Sequence, residues 1–188
     1  MPYYTRVLAD HGARGLTPPA VDLAAGLPPG TTSNYARTRE ALLTLTLTRI
    51  AELDAAEGGQ DLAGQALPVT RLADGLAGMV YRMITDAEGR RRARARFELA
   101  LEATRRPELR AAYDDMRRRF RAQAARLLAA SGSAEPGRDA WMLIAWLEGT
   151  AFYALAGAGT TAAPTLDVLR DQLTRLLAGL CGDEAGAA

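Results

Sequence analysis

The sequence predicts an all-α protein with a small N-terminal domain, residues 1–57, followed by a larger helical domain, residues 58–188. Apolar residues recur at helical spacing along most of the chain, and prolines, threonines and glycines stand where helices begin and end. The alternating stretch at residues 43–48 is flanked by good helix formers and has no partner strand, so it is assigned to a helix as well. A glycine-containing segment, residues 55–68, separates the two predicted domains.

Composition and charge are those of an ordinary globular protein. Hydrophobic residues make up 48% of the chain and charged residues 24%, and no apolar run approaches the roughly 20 residues that a membrane span needs. The start of the chain lacks the apolar segment of a secretion signal, so we expect a cytoplasmic protein. All 23 basic residues are arginines, which together with the many alanines and glycines indicates GC-rich coding bias, so the arginine richness alone is poor evidence for nucleic-acid binding.

Histidine and cysteine are too scarce for three common features that depend on them. His11 and Cys181 are the only residues of their types, which excludes an intrachain disulfide, a zinc site and a histidine-activated nucleophile. Glu98 and Glu102 stand one helical turn apart and could act as a paired acid and base, but such pairs usually form a solvated helix face. We therefore expect no enzyme activity, no metal and no cofactor.

The first three helices are predicted from capping and breaking residues. A helix over Tyr4–His11 ends in a glycine-containing stretch. Thr17 can cap a second helix whose first turn holds two prolines, and Gly26 can end that helix in the left-handed conformation. A third helix over about Pro29–Ala36 opens with small polar side chains and free N–H groups that can meet phosphates. Residues 16–43 thus predict a helix-turn-helix, whose second helix can enter a DNA major groove.

Apolar stripes predict the remaining helices. They run over Thr38–Glu57, Val69–Thr85, a helix that contains Phe97, Leu99 and Leu101 and is interrupted near Pro107, Leu109–Ala130, Asp139–Leu155 and Leu166–Leu180. Thr165 caps the last helix. The basic run Arg90–Arg96 could be a second nucleic-acid patch, or it could be a solvated helix start or loop, and we favour the latter because aromatic residues are not interleaved. Residues 141–155 are apolar nearly all round, so we expect a partner subunit to cover one face of that helix.

Residues 16–43 also resemble the signature of TetR-type repressors, which commonly reads T-x-x-x-V-A-x-x-A-G-V-S-x-G-T-x-Y-x-H-F-x-x-K-x-x-L. The residues that carry the resemblance are Thr17, Val21, Ala25-Gly26-Leu27, Gly30-Thr31, Tyr35, Arg39-Glu40 and Leu42. The departures are Asp22 for an alanine, Pro28 for a serine, Ser33 for a tyrosine, Tyr35 for a histidine and Ala36 for a phenylalanine. Members usually carry a longer first helix preceded by a basic arm, so either the true start lies upstream of Met1 or the arm is absent.

The resemblance implies a homodimeric regulator whose empty form binds a palindromic double-stranded operator and whose ligand-bound form leaves it. The implied DNA-contacting residues are Thr17, Pro29, Gly30, Thr31, Thr32, Asn34, Tyr35 and Arg39, with Thr31, Thr32 and Asn34 nearest the bases and Thr17, Tyr35 and Arg39 on phosphates. The pocket for an unidentified, small and apolar effector is expected among Met83, Phe97, Tyr113, Met116, Phe120 and Trp146. The subunit interface is expected at Trp141, Phe152, Leu169, Leu173, Leu176 and Leu180.

The distribution of charged residues along the chain leaves open an alternative function that does not involve DNA recognition. Residues 1–57 carry five arginines and six acidic residues, whereas residues 58–134 carry fifteen arginines and nine acidic residues. Basic side chains supply much of the affinity for DNA phosphates, so the predicted DNA-binding domain has little electrostatic attraction for DNA. The alternative function is a helical dimer that binds a small molecule and has lost sequence-specific DNA binding.

Overall fold

The computed structural model describes residues 3–57 and 67–182, and all regular structure in those ranges is helical. Within these ranges nine α-helices follow in order: α1 (Tyr3–Gly15), α2 (Pro18–Ala25), α3 (Thr31–Tyr35), α4 (Arg39–Glu57), α5 (Val69–Thr85), α6 (Ala87–Ala103), α7 (Pro107–Ala130), α8 (Pro136–Leu155) and α9 (Leu166–Cys181). A short 3-10 helix, Ala158–Thr161, follows α8. The predicted all-α class is confirmed, and no helix of the described residues is long and apolar enough to cross a membrane.

The described residues form two compact units. The first unit contains α1 to α4, α6 and the start of α7, and the second contains α5, the rest of α7, α8 and α9. Packing therefore groups residues 86–117 with the N-terminal helices, which the linear sequence did not indicate. The division of the chain into domains at residue 57 stays a prediction.

One apolar core holds the first unit together. Its fully buried large side chains are Leu8, Leu16, Leu42, Leu43, Ile50, Leu99 and Leu109. They come from α1, α4, α6, α7 and the residue after α1, so α6 and α7 complete a core that the N-terminal helices begin. Ala36 lies in the same core at 1% exposure, so this departure from the TetR signature keeps an inward position with a smaller side chain.

Charged side chains also link α6 to the N-terminal helices. The Asp54 carboxylate at the end of α4 lies 2.8 Å from Arg96 Nη1 and 3.5 Å from Arg92 Nε. Arg92 is only 8% exposed, so this part of the basic run is not the solvated helix start that we expected. Glu98 Oε2 accepts a hydrogen bond from the Ala13 N–H at 3.3 Å. These contacts give charged residues of α6 a structural role, because a buried charge needs a partner.

In the second unit α5 packs against both α9 and α8. The buried large side chains of this unit include Leu72, Val80 and Ile84 on α5, Leu143 and Leu147 on α8, and Leu169, Leu173 and Leu177 on α9. Thr165 caps α9 as predicted, its hydroxyl accepting from the Val168 N–H at 3.4 Å. On the surface Arg170 joins α9 to α5 through a 2.6 Å hydrogen bond to Asp74. Both apolar and charged contacts thus fix α9 on α5.

Candidate nucleic-acid interface

The candidate nucleic-acid interface consists of α2, α3 and the turn between them. Thr17 caps α2 as predicted, accepting a hydrogen bond from the Ala20 N–H at 3.3 Å. Gly26 ends α2 with φ 65°, a left-handed conformation that favours glycine. The next helix, α3, has only five residues and begins at Thr31 rather than at Pro29. The structure therefore contains the predicted helix-turn-helix, with a shorter second helix than expected.

A buried carboxylate holds the start of α3. Asp22 is 3% exposed, and both of its carboxylate oxygens accept hydrogen bonds. Oδ2 accepts from the Gly30 N–H at 2.8 Å, while Oδ1 accepts from the N–H and the hydroxyl of Thr32 at 2.8 and 2.5 Å. The hydrogen bond from the Thr32 hydroxyl, assisted by N–H groups at the start of α3, lowers the pKa of Asp22 although burial opposes the shift.

Sequence reasoning treated Asp22 only as a departure from the TetR signature and missed this role. The available signal was an acidic residue directly after the inward-facing Val21 on an otherwise apolar helix. An acid in such a position requires hydrogen-bond donors nearby, and Thr32 is one of the small polar residues that follow the turn. The pairing itself depends on the turn geometry, which the sequence pattern does not specify.

The outward face of α3 differs from the expectation at one position. Thr32 is 8% exposed and its hydroxyl is bonded inside the unit, so the expectation that it lies nearest the bases is wrong. Asn34 and Tyr35 are exposed, Tyr35 to 83%. Thr31 is half-buried, and its hydroxyl donates to the Pro28 carbonyl at 2.7 Å. The short helix therefore presents three of the expected contact residues and turns the fourth inward.

Three N–H groups at the start of α3, those of Gly30, Thr31 and Thr32, are bonded within the chain, contrary to the expectation that they are free to bind phosphate. The N–H groups of Gly30 and Thr32 donate to Asp22, and the Thr31 N–H donates to the Pro28 carbonyl at 3.2 Å. A helix N-terminus attracts an anion through such groups, and here a carboxylate of the chain itself occupies that place. These three N–H groups are therefore not available to a phosphate.

The arginines near the turn differ in their availability. Arg39 is half-buried, and its guanidinium donates to the Ala13 carbonyl in α1, so it ties α4 to α1. Arg6 donates to the Ala24 carbonyl at 3.0 Å and so ties α1 to α2. Arg37, between α3 and α4, is exposed. The Arg39 guanidinium would therefore have to contact a phosphate while it also donates to the Ala13 carbonyl.

A polar cleft of about 550 Å³ opens in the first unit. It is lined by Arg14, Arg39, Glu40, Glu102, Arg105, Arg106, Pro107 and Glu108. Arg106 lies 2.9 Å from Glu102 and 3.6 Å from Glu40, and its hydrogen bond lowers the pKa of Glu102. Glu102 thus belongs to a network of paired charges. The described residues contain no group of His, Cys, Asp or Glu that could hold a metal ion.

The six residues expected to line an effector pocket are divided between the two units. Phe97, Tyr113 and Met116 belong to the first unit, and Met83, Phe120 and Trp146 belong to the second. Tyr113 is 8% exposed in the core of the first unit, and Met116 packs against that core. Periodic aromatic and methionine residues predict burial, but they do not specify which core receives them. The structure therefore does not gather all six in one unit.

The residues expected at a subunit interface divide between an exposed surface and the core of the chain. Leu169 and Leu173 have no exposed surface, so the expectation that they contact a partner is wrong. The apolar stripe of α9 covers its own unit instead. Leu176 and Leu180 are half-buried.

The most exposed apolar surface in the second unit lies on α8. Trp141 and Phe152, which were expected there, are 63% and 48% exposed. Met142 and Tyr153, which the sequence analysis did not assign, are 41% and 58% exposed, and the small residues Ala145 and Gly149 are exposed on the same helix. We call these six residues the α8 face. A contiguous exposed apolar patch on a protein surface commonly marks an interaction site.

Comparison with known families agrees with this architecture. A family model described as the tetracyclin repressor-like C-terminal domain matches residues 67–180, which is more than half of the chain. The chain belongs to the TetR family. This confirms the resemblance that residues 16–43 showed. Regulators of this family are transcription factors and not enzymes, so membership also supports the absence of enzyme activity.

Several solved structures have the same fold. A transcriptional regulator from Rhodococcus sp. is similar with a TM-score of 0.78 and 19% identity, over 95% of this chain and 91% of its own. A TetR-family member from Streptomyces coelicolor is 25% identical with a TM-score of 0.72, over 93% of each chain. The multidrug binding protein EbrR, in complex with ethidium, is 26% identical with a TM-score of 0.63, over 93% of each chain. No curated protein matches the chain.

Proposed function

We propose that the chain is a homodimeric transcriptional repressor that binds a palindromic operator and is released from it by a small, largely apolar molecule. The observation that carries the proposal is the helix-turn-helix of α2 and α3, whose second helix exposes polar side chains. Membership in the TetR family supports a DNA-binding regulator. The α8 face supports a dimer, which a helix-turn-helix that recognises few base pairs usually requires.

In the proposed complex α3 lies in the major groove. Asn34 is the best-placed base reader, because it is exposed and its amide can donate and accept at the edge of an adenine. The Thr31 hydroxyl donates its hydrogen bond to the Pro28 carbonyl, so only the methyl group and the acceptor capacity of the hydroxyl oxygen remain for contact with a base. Thr32 is not assigned a DNA contact, because it is buried.

Phosphate contacts are proposed for residues around α3. Tyr35 projects from the end of α3, and Arg39 follows it at the start of α4. The Thr17 hydroxyl accepts a hydrogen bond from the first turn of α2 and keeps its own proton for a phosphate oxygen. Pro29 is exposed and the space around Gly30 is open, so the backbone can approach DNA closely at these two residues.

The α8 face is proposed as the dimer contact. Trp141 and Phe152 are about three helical turns apart on one face of α8. The small residues Ala145 and Gly149 lie between them along that face and allow close approach of a second helix. Trp141→Glu should convert the dimer to monomers in analytical ultracentrifugation, because burying an unpaired carboxylate is costly. Leu101→Glu is the matched control, since Leu101 is 58% exposed on α6. Two variants with the same oligomeric state would contradict this assignment.

The effector is proposed to be an apolar molecule bound in the second unit, where Met83, Phe120 and Trp146 are the candidate contacts. The complex of EbrR with ethidium, a flat aromatic cation, supports an aromatic ligand. Ethidium is therefore the first probe, and its fluorescence in the absence of DNA should rise on binding to the protein and rise less with Trp146→Ala. A response that is equal in both proteins would contradict the role of Trp146.

Selection of binding sequences from random duplex DNA tests operator recognition. The parent protein should enrich a palindrome with half-sites about one helical turn apart. Asn34→Ala should relax the preference at one base position of each half-site, at a cost of about 1–3 kcal/mol for the preferred base. Ser33→Ala, at a neighbouring exposed residue without an assigned contact, should select the same palindrome as the parent. A folded dimer that enriches no palindrome would contradict the proposal.

Two observations favour the second candidate, a dimer that binds a small molecule without recognising DNA. Residues 1–57 carry six acidic residues against five arginines, and the N–H groups of Gly30, Thr31 and Thr32 are bonded within the chain. Both features reduce the attraction for phosphates. Such a protein would keep the α8 face and the ethidium response, and it would fail the selection experiment.

A further inference from the structure

The environment of Asp22 requires a carboxylate and not merely a polar side chain. Three donors converge on it, the N–H of Gly30 and the N–H and hydroxyl of Thr32, and they use both oxygens. An asparagine has a single acceptor oxygen, so its NH2 group would face at least one N–H donor at the start of α3. The loss would matter, because Asp22 is 3% exposed and water cannot readily replace the missing acceptor.

The position of α3 depends on contacts at its two ends. A helix of five residues cannot be stable through its own hydrogen bonds. At its start, Asp22 holds Thr32 inward. At its end, the Ala36 N–H donates to the Thr32 carbonyl at 2.9 Å, and Ala36 is buried in the core. Thr32 therefore takes part in both anchors.

The inward direction of Thr32 sets the direction of the other side chains of α3. Successive residues of an α-helix are rotated by about 100°, so fixing one side chain fixes the rotation of the whole helix. Thr31 and Asn34 are three residues apart and therefore share one face. Both can meet a groove only while Thr32 points at Asp22. A rotation of α3 that broke the bond between Thr32 and Asp22 would also turn Thr31 and Asn34 away from the groove-facing side.

We propose that the hydrogen-bonded pair of Asp22 and Thr32 positions α3 for DNA recognition, and that it controls affinity and sequence preference without touching DNA. This inference rests on the proposed function, because it assigns positioning residues to the same DNA-binding surface.

The test compares four variants on two duplexes, the palindrome selected by the parent and a scrambled duplex of equal length. Thr32→Val removes the hydroxyl with little change of volume, and Thr32→Ser keeps the hydroxyl. Asp22→Asn removes one acceptor. Asp10→Asn is the matched control, because Asp10 is an exposed acid of the same unit that lies 3.7 Å from Arg91. Circular dichroism and gel filtration establish that each variant is a folded dimer like the parent.

Thr32→Val and Asp22→Asn should bind the selected palindrome at least about tenfold more weakly and the scrambled duplex about equally well. Thr32→Ser and Asp10→Asn should behave like the parent. If Asp22→Asn does not fold, the comparison of Thr32→Val with Thr32→Ser still decides the question. Equal affinities of those two for the palindrome, or an equal loss on both duplexes, would overturn the inference while the proposed function stands. A parent that binds both duplexes equally would overturn both.

Discussion

Replacing Leu99 with alanine tests whether α6 shares a cooperative unit with the N-terminal helices α1 and α4. Leu99 has no exposed surface and lies in the core that α6 shares with α1 and α4. The substitution removes three buried carbon atoms, worth about 2.4 kcal/mol by transfer alone. Incomplete relaxation around the cavity raises the cost to about 3–4 kcal/mol. Each kcal/mol lowers the Tm of a chain of this length by about 2–4 °C, so we expect a loss of about 10 °C.

Hydrogen exchange measured by mass spectrometry shows where this loss is distributed. Leu99→Ala should accelerate exchange in α1 and α4 as well as in α6, because the three helices share the core. Leu101→Ala is the matched control on the same helix, where the side chain is 58% exposed and the cost should stay within about 0.5 kcal/mol. Acceleration confined to α6, or an equal cost for the two variants, would refute the shared core.

Three further predictions concern polar contacts, and chemical denaturation measures each of them. Asp54→Asn should lower the free energy of unfolding by about 1–3 kcal/mol, because the two arginine partners of Asp54 are largely buried. Glu52→Gln, at an exposed ion pair, should lower it by less than about 1 kcal/mol. Equal losses of stability in the two variants would contradict this prediction. Thr17→Ala should cost about 1 kcal/mol through loss of the α2 cap, and an unchanged stability would show that the cap contributes nothing. The lowered pKa of Asp22 means that its hydrogen bonds stabilise the fold above the ordinary aspartate pKa of about 4, and that this contribution is lost as the pH falls through the lower pKa of the folded protein. Asp22→Ala should therefore be less stable than the parent at about pH 7 and approach it only below about pH 4; a constant difference down to about pH 2 would contradict the assignment.

Helix ends were the features most accessible to sequence analysis. Thr17 and Thr165 cap α2 and α9 as predicted, because a cap depends only on residues within one turn. Gly26 ends α2 for the same local reason. The family signature in residues 16–43 gave the correct family, because the spacing of its threonine, glycine and apolar residues is specific.

Contacts between distant residues were less accessible. The inward direction of Thr32 follows from a hydrogen bond to Asp22 across a turn, and a five-residue helix has too few residues to show an apolar period. Leu169 and Leu173 form a clear stripe, but a stripe is equally compatible with the core of its own chain and with a partner subunit. The packing of residues 86–117 with the N-terminal helices is a similar case, since burial alone does not identify the neighbouring helix.

The most direct test of a dimer that recognises DNA through two α3 helices is the dependence of affinity on half-site spacing. The palindrome selected by the parent is lengthened at its centre by about five base pairs, which is half a helical turn and places the half-sites on opposite sides of the duplex. We predict that affinity falls toward that of the scrambled duplex while each half-site sequence is unchanged. Unchanged affinity after the insertion, or a complex that contains one chain per duplex, would contradict recognition by a dimer.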